Sequence, residues 1–391
     1  MSGYALSPAT REFRLGRAFA LESGAVLPDL VLAYRALGRL NAQADNAVVV
    51  CHALTGNADF DAWWDALVGP GRALDPARDF IVCANALGGC YGSSGPAATA
   101  PDGRRWGARF PQVSVRDQVR AQALLADALG IRGIRLVIGG SMGGLQAIEW
   151  PLLDARVQAV ATIAASARHS PWCVAWSETQ RRIIATDPRW NGGDYDPTDP
   201  PATGLAAARA VAMVTYRSAQ SFETRFGRAS GAEVFGGRAR APQAPAVANW
   251  IDHHGEQLVR RFDALSYVRL TEAMDGHDVG RERGGTTAAL ASIAQPVLVV
   301  SIPSDALYVP ADQYALVESL PDATFARLAS DHGHDGFLID APRLEPIVRQ
   351  FRERIERGGR RVAVPLRQPE PPPATDPSTP EAAPPLRAAA H

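Results

Sequence analysis

The sequence predicts an α/β protein, with a mostly parallel sheet flanked by helices and a helical cap inserted between late strands. Three observations carry this. Five short runs rich in Val and Ile are apolar at both alternate positions, helical patterns separate several of them, and strand signals stop between residues 167 and 290. Strands apolar on both sides are covered on both faces, the condition of a parallel sheet.

The strand runs are "NAVVVCHAL" (46–54), "DFIVCANAL" (79–87), "IRLVIGGS" (134–141), "VQAVATIAAS" (157–166) and "QPVLVVSIPS" (295–304). Helical patterns such as "VRDQVRAQALLADALG" before the third and "MGGLQAIEWPLL" after it make βαβ units. Pro151 should shorten the latter helix, since proline removes a donor and clashes one turn back. Within 167–290, "AWSETQRRIIATDP", "GLAAARAVAMVTYRSAQSFETRFG" and "GEQLVRRFDALSYVRLTEAM" read as amphipathic helices joined by turn-rich pieces. The expected organisation is therefore a core of residues 1–166 and 291–358, a helical cap of 167–290, and a tail of 359–391. That Pro- and Ala-rich tail has no periodic apolar face to offset its ordering entropy, so disorder is expected there.

The chain has 391 residues, enough for a large core, and 40 Lys and Arg balance 41 Asp and Glu. No electrostatic footprint for nucleic acid or an anionic membrane follows, and small neutral or zwitterionic partners are the better expectation. Cys51, Cys83, Cys90 and Cys173 lack metal-ligand spacing and read as reduced, packed thiols. The N-terminal stretch has no basic and apolar leader pattern, and no run approaches the roughly 18 apolar residues of a membrane helix. A cytoplasmic protein is expected.

Gly139-Gly140-Ser141-Met142-Gly143 fits G-x-S-x-G between a buried strand and a helix. An ordinary glycine-rich turn or a phosphate cradle would share the pentapeptide. The flanking strand and helix instead favour a strained turn that lifts the Ser141 hydroxyl above a helix N-terminus, where free N–H groups favour a developing anion. A serine hydroxyl is a poor nucleophile at neutral pH, so an orienting acid and a base must follow in the order Ser, Asp, His. Asp305 lies just beyond a late strand; Asp312 is the second candidate, but it falls in the next helix's first turn, where an acid serves the dipole. "SDHGHDGFL" offers His332 and His334 as base. His52 ends the first strong strand, while His169, His253, His254 and His277 lie in the cap and His391 in the tail; all read more simply as surface or packing residues. Leu54, after the first strong strand, and Met142, after the serine, are the candidate backbone donors to an oxyanion.

The stretches "HALTGNA", "WWDALVGPGRALDPARDFIVCANALGGCYGSSGP", "FPQVSVRDQVRAQ", "GGSMGGLQAIEW", "GLAAARAVAMVTYRS", "FDALSYVRLTEAMD", "SDALYVP" and "GHDGFL" resemble the homoserine O-acetyltransferase family of α/β-hydrolase-fold acyltransferases over about residues 10–350. The resemblance implies acyl transfer from acyl-CoA to an amino-acid hydroxyl through an acyl-serine, with Ser141 as nucleophile, Asp305 orienting and His334, rather than His332, as base. It further implies that Arg209 binds the substrate carboxylate and Asp335 its ammonium. A guanidinium fork fits a planar carboxylate and a carboxylate fits an ammonium, so these assignments are chemically sound. A homodimer through cap helices is implied as well, as is methionine biosynthesis, with acetyl-CoA as cosubstrate and no metal or prosthetic group.

The chain departs from the family pattern in three places: no histidine follows "LTG" soon after, "GHDGFL" stands for the commoner "GHDAFL", and Pro151 interrupts the helix after the serine. Succinyl-transferring relatives often resemble "TDWRF" beside the acid, whereas Leu307 holds that place here. Burying a succinyl carboxylate without that arginine would cost several kcal/mol, which favours acetyl. Transfer to serine, use of succinyl-CoA, and plain ester hydrolysis by the same triad are the alternatives. A non-catalytic protein of this fold would predict a broken triad, and all three members are present.

Overall fold

The computed structural model describes residues 6–358, so the expected tail, 359–391, lies outside the described residues. In chain order the strands are β1 (Arg11–Arg14), β2 (Phe19–Ala20), β3 (Val26–Leu27), β4 (Val31–Leu37), β5 (Ala47–Cys51), β6 (Phe80–Ala84), β7 (Ile134–Gly140), β8 (Val160–Ile163), β9 (Val297–Ser301) and β10 (Ala323–Arg327). All but β2 and β3 form one sheet, ordered β1-β4-β6-β5-β7-β8-β9-β10. The run from β6 to β10 is parallel, and β4 and β1 extend one edge antiparallel. The five expected runs are the five inner strands β5 to β9.

Their composition explains their position. Val49 and Cys51 join the core on one face while Val48 and Val50 join the other, and Val297, Val299 alternate with Leu298, Val300 in the same way. The outer strands are different. In β4, Arg35 reaches Asp59 and Asp61 at 2.9 and 2.6 Å, and β10 buries only Thr324 and Ala326 of its five residues. A charged residue within β4 and half-exposed positions in edge strand β10 break the continuous apolar run, so the both-face apolar signature does not mark them.

The helices are α1 (Phe60–Trp63), α2 (Val115–Ala128), α3 (Met142–Glu149), α4 (Pro171–Ala185), α5 (Ala202–Tyr216), α6 (Ala219–Phe226), α7 (Gly231–Phe235), α8 (Ala246–Arg261), α9 (Ala264–Asp275), α10 (Thr286–Ala291), α11 (Pro310–Ser319), α12 (Gly336–Ile339) and α13 (Ala341–Glu356). The N-terminus of α2 is a capping box: Ser114 Oγ accepts from Asp117 N–H while the Asp117 carboxylate accepts from Ser114 N–H. α3 stops at Glu149, followed by a 3-10 turn containing Pro151. Glu149 is an acid at a helix C-terminus, where the dipole disfavours it. Arg116 and Arg283, 2.8 and 2.6 Å away, neutralise it.

Helices α4 to α9 fill the insertion between β8 and β9. Its ends meet: Val279 N–H donates to Ala167 C=O and His169 N–H to His277 C=O, both at 3.0 Å. α10, which straddles the expected boundary at 290, packs Ala289 and Leu290 into the sheet core. The cap thus closes at its neck before residue 280, and α10 belongs by packing to the core. A third apolar cluster joins cap to core, with Leu205, Ala208, Leu265 and Tyr267 against Leu54, Met142, Leu145 and Tyr308.

At the far edge, buried Asp79 at the start of β6 accepts from both terminal nitrogens of Arg352 on α13, at 2.6 and 2.7 Å. Removing one partner of such a pair leaves an uncompensated charge in low dielectric. Asp79→Ala should lower unfolding free energy by about 3 kcal/mol in urea titrations; a loss under about 0.5 kcal/mol would show that the pair is solvated.

Candidate active site

Ser141 sits between β7 and α3 with φ 57° and ψ −127°, in the positive-φ region that side chains avoid. The turn is held rather than relaxed: Ser141 N–H donates to Ile163 C=O on β8 at 3.0 Å. Gly143 permits it, since a Cβ there would stand 2.0 Å from the carbonyl oxygen of Cys51. The result is a serine hydroxyl at the carboxyl end of the sheet, beside the N-terminus of α3.

Two loops bring partners to it. Asp305 follows β9, and its Oδ1 accepts from the N–H groups of Leu307 and Tyr308 at 2.8 and 3.0 Å. His334 lies in a 3-10 turn after β10, with Nδ1 2.7 Å from Asp305 Oδ2 and Nε2 2.8 Å from Ser141 Oγ. With Nδ1–H donating to the carboxylate, Nε2 is left to accept the serine proton. Burial works to lower the imidazole's pKa, but Asp305, with a smaller contribution from Asp335, outweighs it and raises the value above the ordinary 6.5. Asp312 lies in the first turn of α11, and His332 faces cap residue Ser221, its Nδ1 3.2 Å from Oγ. Neither is a member of this relay.

Three aromatic rings enclose His334. Tyr308 stacks on it at 5.4 Å and 26°, Tyr216 tilts against it at 5.6 Å, and Phe337 meets it edge-on at 5.7 Å. Burial keeps the Tyr308 phenol protonated, and its hydroxyl shares a 3.0 Å hydrogen bond with His169 Nδ1 at the cap's neck. His169 is therefore tied to the catalytic side of the fold. No sequence pattern marks these contacts, because each joins residues far apart in the chain.

Leu54 lines the cleft over Ser141 and Met142 is the first residue of α3 directly after it; among the described residues neither N–H has a hydrogen-bond partner. His52 orients the first. Burial pushes it down to about 4, so it is neutral; its Nδ1–H donates to Ala53 C=O at 2.8 Å and its Nε2 accepts from Ala86 N–H at 2.9 Å. Because the Ala53–Leu54 peptide is planar and trans, holding its carbonyl on one side directs its N–H to the other.

A cleft of about 750 Å³, open solvent included, lies over Ser141 and is lined by Leu54, Trp63, Arg209, Arg217, His254 and Asp335 among others. Arg209 is buried, with its guanidinium carbon 5.4 Å from the Tyr216 ring centre and its Nη1 without a partner. Asp335 stands 3.2 Å from Arg217 Nε, within ion-pair range but without hydrogen-bond alignment. His254, expected from the sequence to be a surface or packing residue, lines the cleft, as do Arg217 and Tyr216, which no sequence pattern marks. Gly336, where the commoner motif has alanine, has a local cause: a Cβ there would lie 2.5 Å from Ser330 Oγ. Among the described residues no group of three or more His, Cys, Asp or Glu side chains could hold a metal ion, and no helix is long and apolar enough to cross a membrane.

Residues 46–341 match the family model of the alpha/beta hydrolase fold. A homoserine O-acetyltransferase of Nostoc punctiforme is 49% identical over 356 residues, which cover 89% of this chain and 97% of that protein. Among solved structures, the homoserine O-acetyltransferase of Staphylococcus aureus is 28% identical with a TM-score of 0.71, covering 88% of this chain and 94% of that one. An acetylester hydrolase from Corynebacterium glutamicum is 27% identical with a TM-score of 0.76, covering 88% and 96%.

If His334 acts as base, it must be neutral, so kcat/KM should fall as pH drops through an apparent pKa above 6.5. In Asp305→Asn that limb should move down and the rate fall by about 10⁴-fold. A pH–rate profile in which the limb stays in place would assign the base elsewhere.

Proposed function

This chain belongs to the homoserine O-acetyltransferase family of the α/β-hydrolase fold, and from that premise we propose that it moves an acetyl group from acetyl-CoA to the hydroxyl of L-homoserine, a step of methionine biosynthesis. The observation that carries the reading is the juxtaposition, in one cleft, of the Ser141–His334–Asp305 relay with the Asp335 carboxylate and a buried Arg209, whose Nη1 has no hydrogen-bond partner among the described residues. A zwitterionic amino acid answers that pair of charges.

The reaction has two halves. His334 Nε2 takes the Ser141 proton as Oγ attacks the thioester carbonyl, the Leu54 and Met142 N–H groups hold the oxyanion, and CoA leaves as the thiol after receiving the proton. Homoserine, held by Arg209 and Asp335, then gives its hydroxyl proton to His334 and attacks the acyl-serine; collapse of the second tetrahedral intermediate returns the proton to Ser141. Imidazolium forms in each half against the stacked ring of Tyr308, whose face favours a cation, with Tyr216 tilted beside it. The steps use acetyl-CoA as cosubstrate and need no metal or prosthetic group.

The donor assignment rests on size and charge. Leu307 occupies the place beside the acid, buried, so a succinyl carboxylate would lack a cation at that position. Homoserine and serine differ by one methylene, worth about 1–3 kcal/mol. The likeness to an acetylester hydrolase favours a second reading, hydrolysis by the same relay, which water reaching the acyl-serine would produce. We also propose a homodimer through cap helices, for which Trp172 on α4 and Val214 on α5 offer exposed apolar surface, and a cytoplasmic protein that engages neither nucleic acid nor membrane, in keeping with its four free cysteines.

Acetyl-CoA mixed with homoserine, serine or no acceptor separates these readings. CoA release should depend on acceptor and favour homoserine; equal release without acceptor would identify a hydrolase. Ser141→Ala should abolish turnover and the acetyl mass increment on the protein. Arg209→Gln should raise KM for homoserine by about 10- to 100-fold.

A further inference from the structure

Beyond Arg209 the wall of the cleft turns basic around Trp250 on α8. The Arg217 guanidinium lies 5.5 Å and that of Arg225 5.9 Å from the indole centre. The His254 ring is 4.3 Å from the same indole, and His253 follows at 5.6 Å from His254. Arg217 and His254 line the cleft with Ser141, whereas Arg225 on α6 is exposed. The cleft wall therefore carries Arg209, Arg217 and His254, and the buried Trp250 ring behind it joins Arg217 to Arg225 at the surface.

The charges of this group do not cancel. Among the described residues Asp335 is the only carboxylate ion-paired with these three arginines, and Arg209 and Arg225 have no ion pair. Three guanidiniums and one carboxylate leave two positive charges. Burial and the surrounding Arg209, Arg217, His253 and Arg225 push His254 down to about 3, so it stays neutral and adds hydrogen-bonding capacity without charge. Like charges held around one ring repel unless an anion joins them. A zwitterionic acceptor is neutral and leaves the excess in place.

We propose that Arg217 and Arg225, carried by Trp250, dock the nucleotide diphosphate of the acyl-CoA donor while its thioester end reaches Ser141 through the cleft. This rests on the acyl-CoA reading above. Trp250 is itself buried and serves as the platform that keeps two like-charged forks together; the diphosphate supplies the two negative charges the group lacks. Arg225, at the exposed end, lies against the rings of Phe226 and Trp250 and has no ion pair among the described residues.

The test compares acetyl-CoA with S-acetyl-N-acetylcysteamine, the same acetyl thioester without the nucleotide, in homoserine-dependent turnover. Wild-type protein should prefer acetyl-CoA in kcat/KM. Arg225→Gln should reduce that preference about tenfold, through KM for acetyl-CoA, and Arg225→Lys should retain most of it. Adenosine 5′-diphosphate should compete with acetyl-CoA and do so less well in Arg225→Gln. An unchanged preference in Arg225→Gln, or no preference in wild type, would overturn the docking site while leaving acetyl transfer intact. Failure of both thioesters to acetylate Ser141 would remove the donor reading and this site with it.

Discussion

The 2.7 Å hydrogen bond between Asp305 Oδ2 and His334 Nδ1 is the contact on which the site depends. It joins two loops from neighbouring strands at the sheet's edge, and it sets the tautomer that leaves Nε2 facing Ser141. The carboxylate is held in turn by two backbone amides from its own loop, so its orientation does not rely on the imidazole alone. Parallel pairing of β9 with β10 brings the two loops out at the same end of the sheet. The central strands, apolar on both faces, are what make that sheet rigid enough to hold a reactive geometry.

Much of this was legible in the sequence, for physical reasons that can be named. The inner strands announced themselves because burial on both faces demands unbroken branched apolar runs. Ser141 announced itself because a turn with positive φ and a carbonyl in contact range leaves glycine as its neighbour. Asp305 could be placed because an acid after a late strand has few structural uses, whereas the choice of His334 over His332 needed the family resemblance. Both lie in the same loop, and only the fold sends one inward to Ser141 and the other to Ser221 on the cap.

What could not be read was whatever depends on contact across the chain. Tyr308 looks like a strand-loop aromatic until its ring is found against the imidazole and its hydroxyl against His169. His52 looks like a polar strand end until both ring nitrogens are seen occupied by backbone. Arg217 and His254 come from different helices and face the same cleft only through the packing of the cap. β4 and β10 escape for the opposite reason: Arg35 interrupts β4 and β10 buries only two of its five residues, so the apolar run is broken where that of the central strands is not.

The closed neck of the cap, with 167–169 lying beside 277–279, has an evolutionary reading. A segment that departs and returns through adjacent backbone bonds can be lengthened, reshaped or exchanged while the sheet and its reactive loops keep their places. Such a scaffold can change which nucleophile meets the acyl-enzyme, an amino-acid hydroxyl under a basic roof or bulk water under a more open one, by renovating the roof alone.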